Sequence, residues 1–380
     1  MKTLQYGIII LEHNEIIKLS TNLVIIKITL NFMKGVILMK KKVIVLCGGN
    51  SSEHEVSLKS AKNISDSLNQ DKYNLSIMYI SKSEEVIPIT YDELKLLVEG
   101  KKLDLSISKK ENLYLIGENN EEECVVFPII HGAFGEDGKL QSILETLNIP
   151  YVGSSSSTSA ICIDKEFTKI IVQSLGIKVA KSLTIKKHES YVSYEEIVDK
   201  LGVPFFVKPS RQGSSVGISQ VTNESEYTNG LEEAFKYDNK VIVEEKISGY
   251  ELECGVLGND NPIVSEIGKI ETKDQDFYSY ENKYIDENGA VLEIPAKIDP
   301  LIKSTIANYS LSIYKKLDCK GLSRVDFFVD KEKIVFNEIN TIPGFTNISM
   351  YPKLFNAVGI SYDDLVDRLI SLAIEEFKNK

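Results

Sequence analysis

Two stretches near the end of the chain carry acidic and amide side chains at a spacing suited to metal chemistry. In S-R-V-D-F-F-V-D (323–330), the period of two in an extended chain puts Arg324 and Asp326 on one face and Val325, Phe327 and Val329 on the other. In K-I-V-F-N-E-I-N (333–340), Glu338 and Asn340 likewise share a face. The polar residues between them predict a hairpin turn. A three-residue loop over 331–333 pairs Asp326 with Glu338 and Arg324 with Asn340. A two-residue loop would put the carboxylates on opposite faces, so the longer loop is expected. Asp326, Glu338 and Asn340 then offer hard oxygen ligands suited to Mg²⁺ that also touches phosphates. Two such ions would neutralise a triphosphate approaching so much negative charge. A network of ordinary cross-strand polar pairs is the plain alternative.

Further segments could bind anions or small polar ligands. In F-F-V-K-P-S-R-Q-G-S-S-V-G (205–217), a strand delivers Lys208 to its end. Gly213, Ser214, Ser215 and Gly217 then let backbone N–H groups approach an anion, or simply close a hairpin. No Gly-Lys-Ser/Thr opens a helix there and no G-x-G-x-x-G is present, which disfavours a P-loop and a Rossmann cofactor. His131 follows a buried strand over 125–130, where open α/β sheets place ligands, although a lone histidine also serves structure. Glu53 lies in C-G-G-N-S-S-E-H-E-V-S-L (47–58) just before a helix, as a ligand group or as a complement to the helix dipole. F-Y-S-Y-E-N-K-Y (277–284) has four aromatics with Lys283 and Glu281, a lid or a packed loop. I-V-E-E-K-I-S-G-Y-E (242–251) joins two blocks, where nucleotides often lodge between domains, or is a plain strand and linker.

The elements that must position these residues fall into three blocks. Residues 39–153 predict a parallel βαβ-type sheet, with strands over 43–46, 74–80, 125–130 and 150–152. Val56, Ser60, Ile64 and Leu68 form a helical stripe, and 140–147 is a second helix. Residues 100–123 read as a charged loop with a short strand at 113–115. The serine run 153–159 admits a linker. Residues 154–245 predict an α+β unit. In it Asp164 caps a helix that ends near Leu175, strands cover 204–208, 217–221 and 240–244, and a helix covers 224–235. Residues 246–380 predict strands over 251–257 and 263–270, a helix over 300–317, the acidic hairpin and a closing helix over 362–377. Residues 1–38 are expected to be a weakly ordered extension or translated upstream sequence.

Composition narrows the partners. The 380 residues hold 44 basic and 55 acidic side chains, a net charge of −11, the opposite of a nucleic-acid footprint. Local charge still governs an anionic ligand. The hydrophobic share of 43% and charged share of 26% are those of an ordinary globular protein. The five cysteines, Cys47, Cys124, Cys162, Cys254 and Cys319, form no C-x-x-C, which fits free thiols in a reducing, cytoplasmic compartment. Lys18, Lys27 and Lys34 interrupt the apolar patches of 1–38, and Glu12 and Glu15 spoil a secretory signal, so no membrane partner is expected.

From Lys40 onward the chain strongly resembles the D-alanine–D-alanine ligases of the ATP-grasp superfamily. The motifs that carry the resemblance are G-G-N-S-S-E-H-E-V-S, H-G-A-F-G-E-D-G, V-K-P-S-R-Q-G-S-S-V-G, Y-E-N-K-Y, G-L-S-R-V-D-F and N-E-I-N-T-I-P-G-F-T, in family order. The resemblance implies an ATP-grasp fold, in which an N-terminal parallel-sheet domain precedes two α+β domains clasping ATP. It implies ATP-dependent joining of two D-alanines through a D-alanyl phosphate for peptidoglycan precursor synthesis, with two Mg²⁺ (Mn²⁺ as a substitute). By the same resemblance Lys165 and Lys208 neutralise ATP phosphates, and Glu244, Glu245, Lys246 and Ile247 form the adenine hinge. Lys246 stands where the family often has an apolar or aromatic residue. Glu251 holds the ribose, and Asp326, Glu338 and Asn340 bind the metals. Glu53 receives the ammonium of the first D-alanine, with His131 nearby. Ser214 links Glu53 to Tyr284, and Lys283 reaches the transferred phosphate. Arg324 and the Gly344 N–H stabilise the oxyanion, and Ser349 and Met350 place the second D-alanine. Tyr284 points to D-alanine over D-lactate or D-serine as second substrate. A homodimer is also implied.

Overall fold

The computed structural model describes residues 40–103, 124–189, 191–272 and 290–379. Its first sheet begins with β1 (Lys41–Gly48), in which Val43 to Cys47 are a continuous buried apolar run, followed by α1 (His54–Asp66) and β2 (Tyr73–Ile80). Next come β3 (Val86–Ile89), α2 (Tyr91–Val98), β4 (Cys124–Pro128) and α3 (Lys139–Thr146). The strand order is β3-β2-β1-β4. β1 and β4 run parallel, with Val43 opposite Val125. β3 runs antiparallel to β2, so this sheet is mixed where a parallel one was expected. The reason is length: Ser81 N donates to Glu85 O at 2.9 Å, closing a turn too short for a crossover. Pro88 is tolerated because β3 is the edge strand.

The glycine end of β1 is clamped to the start of α1. Gly48 has φ +95, and a Cβ there would lie 2.1 Å from Ile80 O, so no other residue fits. Gly48 N donates to Ser57 Oγ at 2.8 Å, and Ser57 Oγ donates to Ile129 O at 2.5 Å. One fully buried hydroxyl thus ties two strand ends to one helix.

The serine run is no linker. α4 (Ser156–Ile163) begins within it, and Ser155 Oγ accepts from Thr158 N at the N-cap. Asp164 then caps α5 (Lys165–Gln173), as expected, accepting from Glu166 N and Phe167 N. The second sheet, β5-β8-β6-β7, is built from β5 (Ser182–Lys186), β6 (Phe205–Pro209), β7 (Ser219–Val221) and β8 (Lys240–Glu245). Helices α6 (Tyr194–Leu201) and α7 (Glu224–Ala234) close its core over Phe205, Val207 and Val243.

The third sheet, β11-β10-β9-β12-β13, holds β9 (Tyr250–Leu257), β10 (Ile263–Thr272), β11 (Ala290–Glu293), β12 (Leu322–Asp330) and β13 (Lys333–Asn340). α8 (Pro300–Lys316) lays Ile306, Ile313 and Tyr314 onto it. α9 (Met350–Asn356) and α10 (Tyr362–Asn379) return to the first sheet, where Phe355, Leu365 and Leu369 share a core with Val45 and Phe127. The α/β and α+β fold expected from the sequence is therefore present.

The acidic hairpin pairs as expected but for a different reason. Asp330 pairs with Lys333, so the turn has two residues, not three, and Lys331 adopts φ 57. Phe327 pairs with Phe336, yet Asp326 pairs with Glu338 and Arg324 with Asn340. The extra residue, Asn337, is a β-bulge that shifts the register by one. Among the described residues no helix is long and apolar enough to cross a membrane. Ser57→Ala should lower the unfolding free energy by about 2 kcal/mol in urea titrations, because two buried backbone groups lose their partner. A loss below about 0.5 kcal/mol would contradict the clamp.

Candidate active site

Three strands of the third sheet bring charge onto one face. Asp326 on β12 faces Glu253 on β9 and Glu338 on β13. One carboxylate oxygen from each of Glu251, Glu253 and Asp326 lies within 4.8 Å of the others. Arg324 offsets this charge. Its Nε and Nη2 each donate to Asp326 at 2.8 Å, and Nε lies 3.0 Å from Glu253 Oε2. Asn340 Nδ2 donates to Asp326 Oδ2 at 2.9 Å. The expected set Asp326, Glu338 and Asn340 thus meets on one face, and Glu253 joins it. Sequence reasoning missed Glu253, although Y-E-L-E places Glu251 and Glu253 two apart on one strand face.

Beside this face opens a cavity of about 740 Å³, lined by Lys165, Lys169, Lys208, Glu244 and Glu338 among others. α5 presents Lys165 and Lys169, one helical turn apart, to it. The helix is held by Lys240, whose Nζ lies 2.6 Å from Asp164 Oδ2 and 2.8 Å from Glu166 Oε2. Lys165 Nζ donates to Gln212 O at 2.5 Å and stands 3.6 Å from Glu338 Oε2. Lys208 Nζ donates to Glu244 Oε2 at 2.5 Å, and Lys169 ion-pairs with Glu244 Oε1. Burial alone would raise the Glu244 carboxyl, but Lys169 and Lys208 outweigh it and hold it at about 2. Burial pushes the Lys169 ammonium down, against the pull of Glu244. Lys169 is a second residue that sequence reasoning passed over, although D-K-E-F-T-K carries the i, i+4 signal.

Of the expected hinge, Glu244, Glu245, Lys246 and Ile247 all line the cavity, as does Glu251. Their side chains have other work. Glu244 holds the two lysines, Glu245 Oε1 accepts from Lys181 N at 2.8 Å, and Lys246 Nζ donates to Gln220 Oε1 at 3.3 Å. The small-residue loop is a tight turn in which Val216 N donates to Gly213 O at 3.2 Å. Ser214 and Ser215 have φ 53 and 60, the primed-turn conformation that ordinarily selects glycine or asparagine. Strain of this kind concentrates where a backbone must meet a ligand.

Glu53 occupies the N-cap position of α1, yet its side chain makes no capping bond. The carboxylate turns instead toward the loops, with Oε2 3.9 Å from where a Cβ on Gly132 or on Gly213 would stand. Among the described residues Ser214 and Glu53 share no hydrogen bond. His131 is buried, and its Nδ1 donates to Ile342 O at 3.0 Å. That bond fixes the neutral tautomer with its lone pair on Nε2, which has no hydrogen-bond partner among the described residues. Burial, ahead of the opposing pull of Glu53, holds the imidazole below its ordinary range. Glu136, also unassigned from sequence, accepts from Gly132 N at 2.9 Å; burial and then Glu53 push its carboxyl up.

The strand exit after β13 is stapled to α1, where Asn63 Nδ2 donates to Phe345 O at 3.1 Å and Phe345 N to Ser60 Oγ at 3.2 Å. Gly344 lies against Ser349, whose Oγ would be 2.8 Å from a Cβ there. Ser349 Oγ accepts from Thr346 N at 2.9 Å, and Met350 is buried at the start of α9. Tyr284 and Lys283, with the rest of the aromatic segment 277–284, lie outside the described residues, as does the strand expected at 113–115.

A family model described as D-ala D-ala ligase N-terminus matches residues 42–154, and one described as D-ala D-ala ligase C-terminus matches residues 171–371. The chain belongs to the D-alanine–D-alanine ligase family. The D-alanine--D-alanine ligase of Oceanobacillus iheyensis is 45% identical over 352 residues, 89% of this chain and 96% of that protein. The solved VanG D-Ala:D-Ser ligase from Enterococcus faecalis superposes with a TM-score of 0.79 at 36% identity, over 88% of this chain and 100% of that one. The D-alanine--D-alanine ligase from Bacillus anthracis complexed with ATP gives 0.70 at 30% identity, over 90% and 99%.

Membership in this ligase family makes the Glu244 ion pairs the natural place to test the cavity's charge balance. A carboxyl held at about 2 when folded and near its ordinary 4.5 when unfolded binds its proton more readily in the unfolded chain. Its stabilising contribution is complete above about 4.5 and is lost as pH falls toward about 2. Urea midpoints of the wild type should drop across that window more steeply than those of Glu244→Gln; parallel curves would contradict the pairing.

Proposed function

We propose that this chain joins two D-alanines to D-alanyl-D-alanine at the expense of ATP, supplying a peptidoglycan precursor. The observation that carries the proposal is the meeting of a lysine-lined cavity with a carboxylate face, where Lys165 Nζ stands 3.6 Å from Glu338 Oε2. A triphosphate needs both, cations along its length and a metal-binding face at its reacting end. Family membership supports the same reading, and the ATP-complexed Bacillus anthracis relative supports ATP as the phosphoryl donor.

Lys165 and Lys208 would meet the phosphates, Glu244 to Ile247 the adenine, and Glu251 the ribose. Asp326, Glu338 and Asn340 would hold two Mg²⁺, or Mn²⁺ in their place. The donor set fits, because carboxylate and amide oxygens are the hard ligands these ions take, and Arg324 now supplies part of the positive charge they would bring. Bound there, Mg²⁺ supplies charge stabilisation for phosphoryl transfer.

The first D-alanine would set its ammonium on Glu53, beside the Nε2 lone pair of His131. Its carboxylate oxygen attacks the γ-phosphorus and ADP leaves, giving an acyl phosphate. Lys283 would steady the transferred group, and Tyr284 with Ser214 would close the site over Glu53. The amine of the second D-alanine, placed by Ser349 and Met350, then attacks the carbonyl carbon. The tetrahedral oxyanion is stabilised by Arg324 and the Gly344 N–H, and its collapse expels phosphate as the amine loses its proton. Excluding water protects the acyl phosphate from hydrolysis.

The rival second substrates are D-serine and D-lactate. The VanG relative is a D-Ala:D-Ser ligase, but the O. iheyensis relative, at higher identity over a similar span, is a D-alanine--D-alanine ligase. Residues 39–153, 154–245 and 246–380 would act as the substrate, central and catalytic domains, with 1–38 an extension. A cytoplasmic homodimer is the form that family resemblance supports, and the five buried free cysteines fit a reducing compartment. Purified protein with ATP, Mg²⁺ and D-alanine should release one phosphate per dipeptide, followed by product mass with D-alanine, D-serine and D-lactate offered together. Phosphate release with L-alanine but not D-alanine would sink the proposal.

A further inference from the structure

Glu244 is a single buried carboxylate with a lysine on each oxygen, Lys208 on Oε2 and Lys169 on Oε1. Two ammonium groups and one carboxylate leave the cluster with one surplus positive charge. The two lysines are not equivalent. Lys208 comes from the end of β6, beside the turn carrying Ser214 and Ser215, and packs over the Phe206 ring with Nζ 5.5 Å from its centroid. Lys169 comes from the second turn of α5 and is the more enclosed, its side chain 5% exposed against 11% for Lys208. A lone Glu244–Lys208 pair would be neutral and self-satisfied, and the lysine would face a strong competitor for any incoming phosphate.

We propose that Lys169 is a positioning residue that keeps Glu244 neutralised, so that Lys208 is released to the nucleotide phosphates. Lys169 acts through Glu244 and not by touching the nucleotide. When the triphosphate enters, Lys208 exchanges one anionic partner for another, while the carboxylate it leaves keeps its pair with Lys169. Without Lys169 that exchange would strand a buried, unpaired carboxylate, the costliest outcome for a buried ion pair. The inference rests on the reading of this cavity as the nucleotide site.

The test is a double-mutant cycle on the KM for ATP at saturating D-alanine, with thermal unfolding as a folding control. Lys169→Met should raise that KM at least about tenfold, leave the KM for D-alanine within about twofold, and be rescued by Lys169→Arg. In a Glu244→Gln background the same substitution should change the KM for ATP by less than about twofold, because no carboxylate remains to hold Lys208. An equal cost in both backgrounds would overturn the inference and make Lys169 a direct nucleotide contact. No cost in the wild-type background would overturn it too. If Lys169→Met does not fold, Lys169→Gln in both backgrounds reads the same coupling. Lys208→Met separates the premise from the inference: if it leaves the KM for ATP unchanged, the cavity is not the nucleotide site, whatever Lys169 does.

Discussion

The shared face of Asp326 and Glu338 depends on one extra residue. Side chains alternate along a strand, so a hairpin with a two-residue turn would have sent Glu338 to the far side of the sheet from Asp326. The bulge at Asn337 absorbs that offset within two positions of the functional pair. Beyond it, Asp326 meets Glu338, Arg324 meets Asn340, and the chain leaves β13 on a path that takes Gly344 and Ser349 to the end of the first sheet. Apolar side chains hold the other face: Val325, Phe327 and Ile339 are buried in the core beneath α8. The hairpin therefore cannot slip by one residue without exposing that core and burying its carboxylates.

So much negative charge on one face requires organised positive charge opposite it. The chain as a whole carries −11, yet Lys165, Lys169, Lys208 and Arg324 converge where the carboxylates are. Each cation is set by its element and not by its own flexible stem. α5 is fixed at its N-terminus by Asp164 and Lys240, and the segment after Lys208 is fixed by Asp238, which accepts from Arg211 N at 2.9 Å. None of these anchoring residues lines the cavity itself, and Asp238 is held below the ordinary carboxylate range because Arg211 and backbone donors outweigh the effect of its burial.

Much of this was legible in the sequence because it rests on local rules. A continuous apolar run located β1, period-3.6 patterning located α1 and α8, period-two patterning located the acidic hairpin, and Asp164 announced α5 as a cap. What escaped was non-local or ambiguous. β3 is four residues with a proline, too short to show a pattern, and its antiparallel pairing makes the first sheet mixed. The serines 154–157 have linker composition, and only the hydrogen bond from Thr158 N to Ser155 Oγ shows them to open a helix. The bulge was invisible because two errors of one residue cancel: a shorter turn plus one inserted residue reproduces the pairing of the longer turn. Lys169 and Glu253 were within reach, since each sits one repeat from a residue already singled out. Their surroundings are set by Glu244 and Asp326, which come from other elements of the fold.

The most direct measurement is on the register itself. Inserting one alanine between Asn337 and Glu338, with the two-residue turn and the single-residue bulge retained, puts the alanine opposite Asp326 and turns Glu338 to the other face. The affinity for ATP should then be measured with and without Mg²⁺ on an insertion variant shown by circular dichroism to be folded. The account predicts that Mg²⁺ no longer strengthens ATP binding in that variant, while it does so in the wild type. A folded variant whose ATP affinity responds to Mg²⁺ as the wild type does would contradict the claim that this register builds the site.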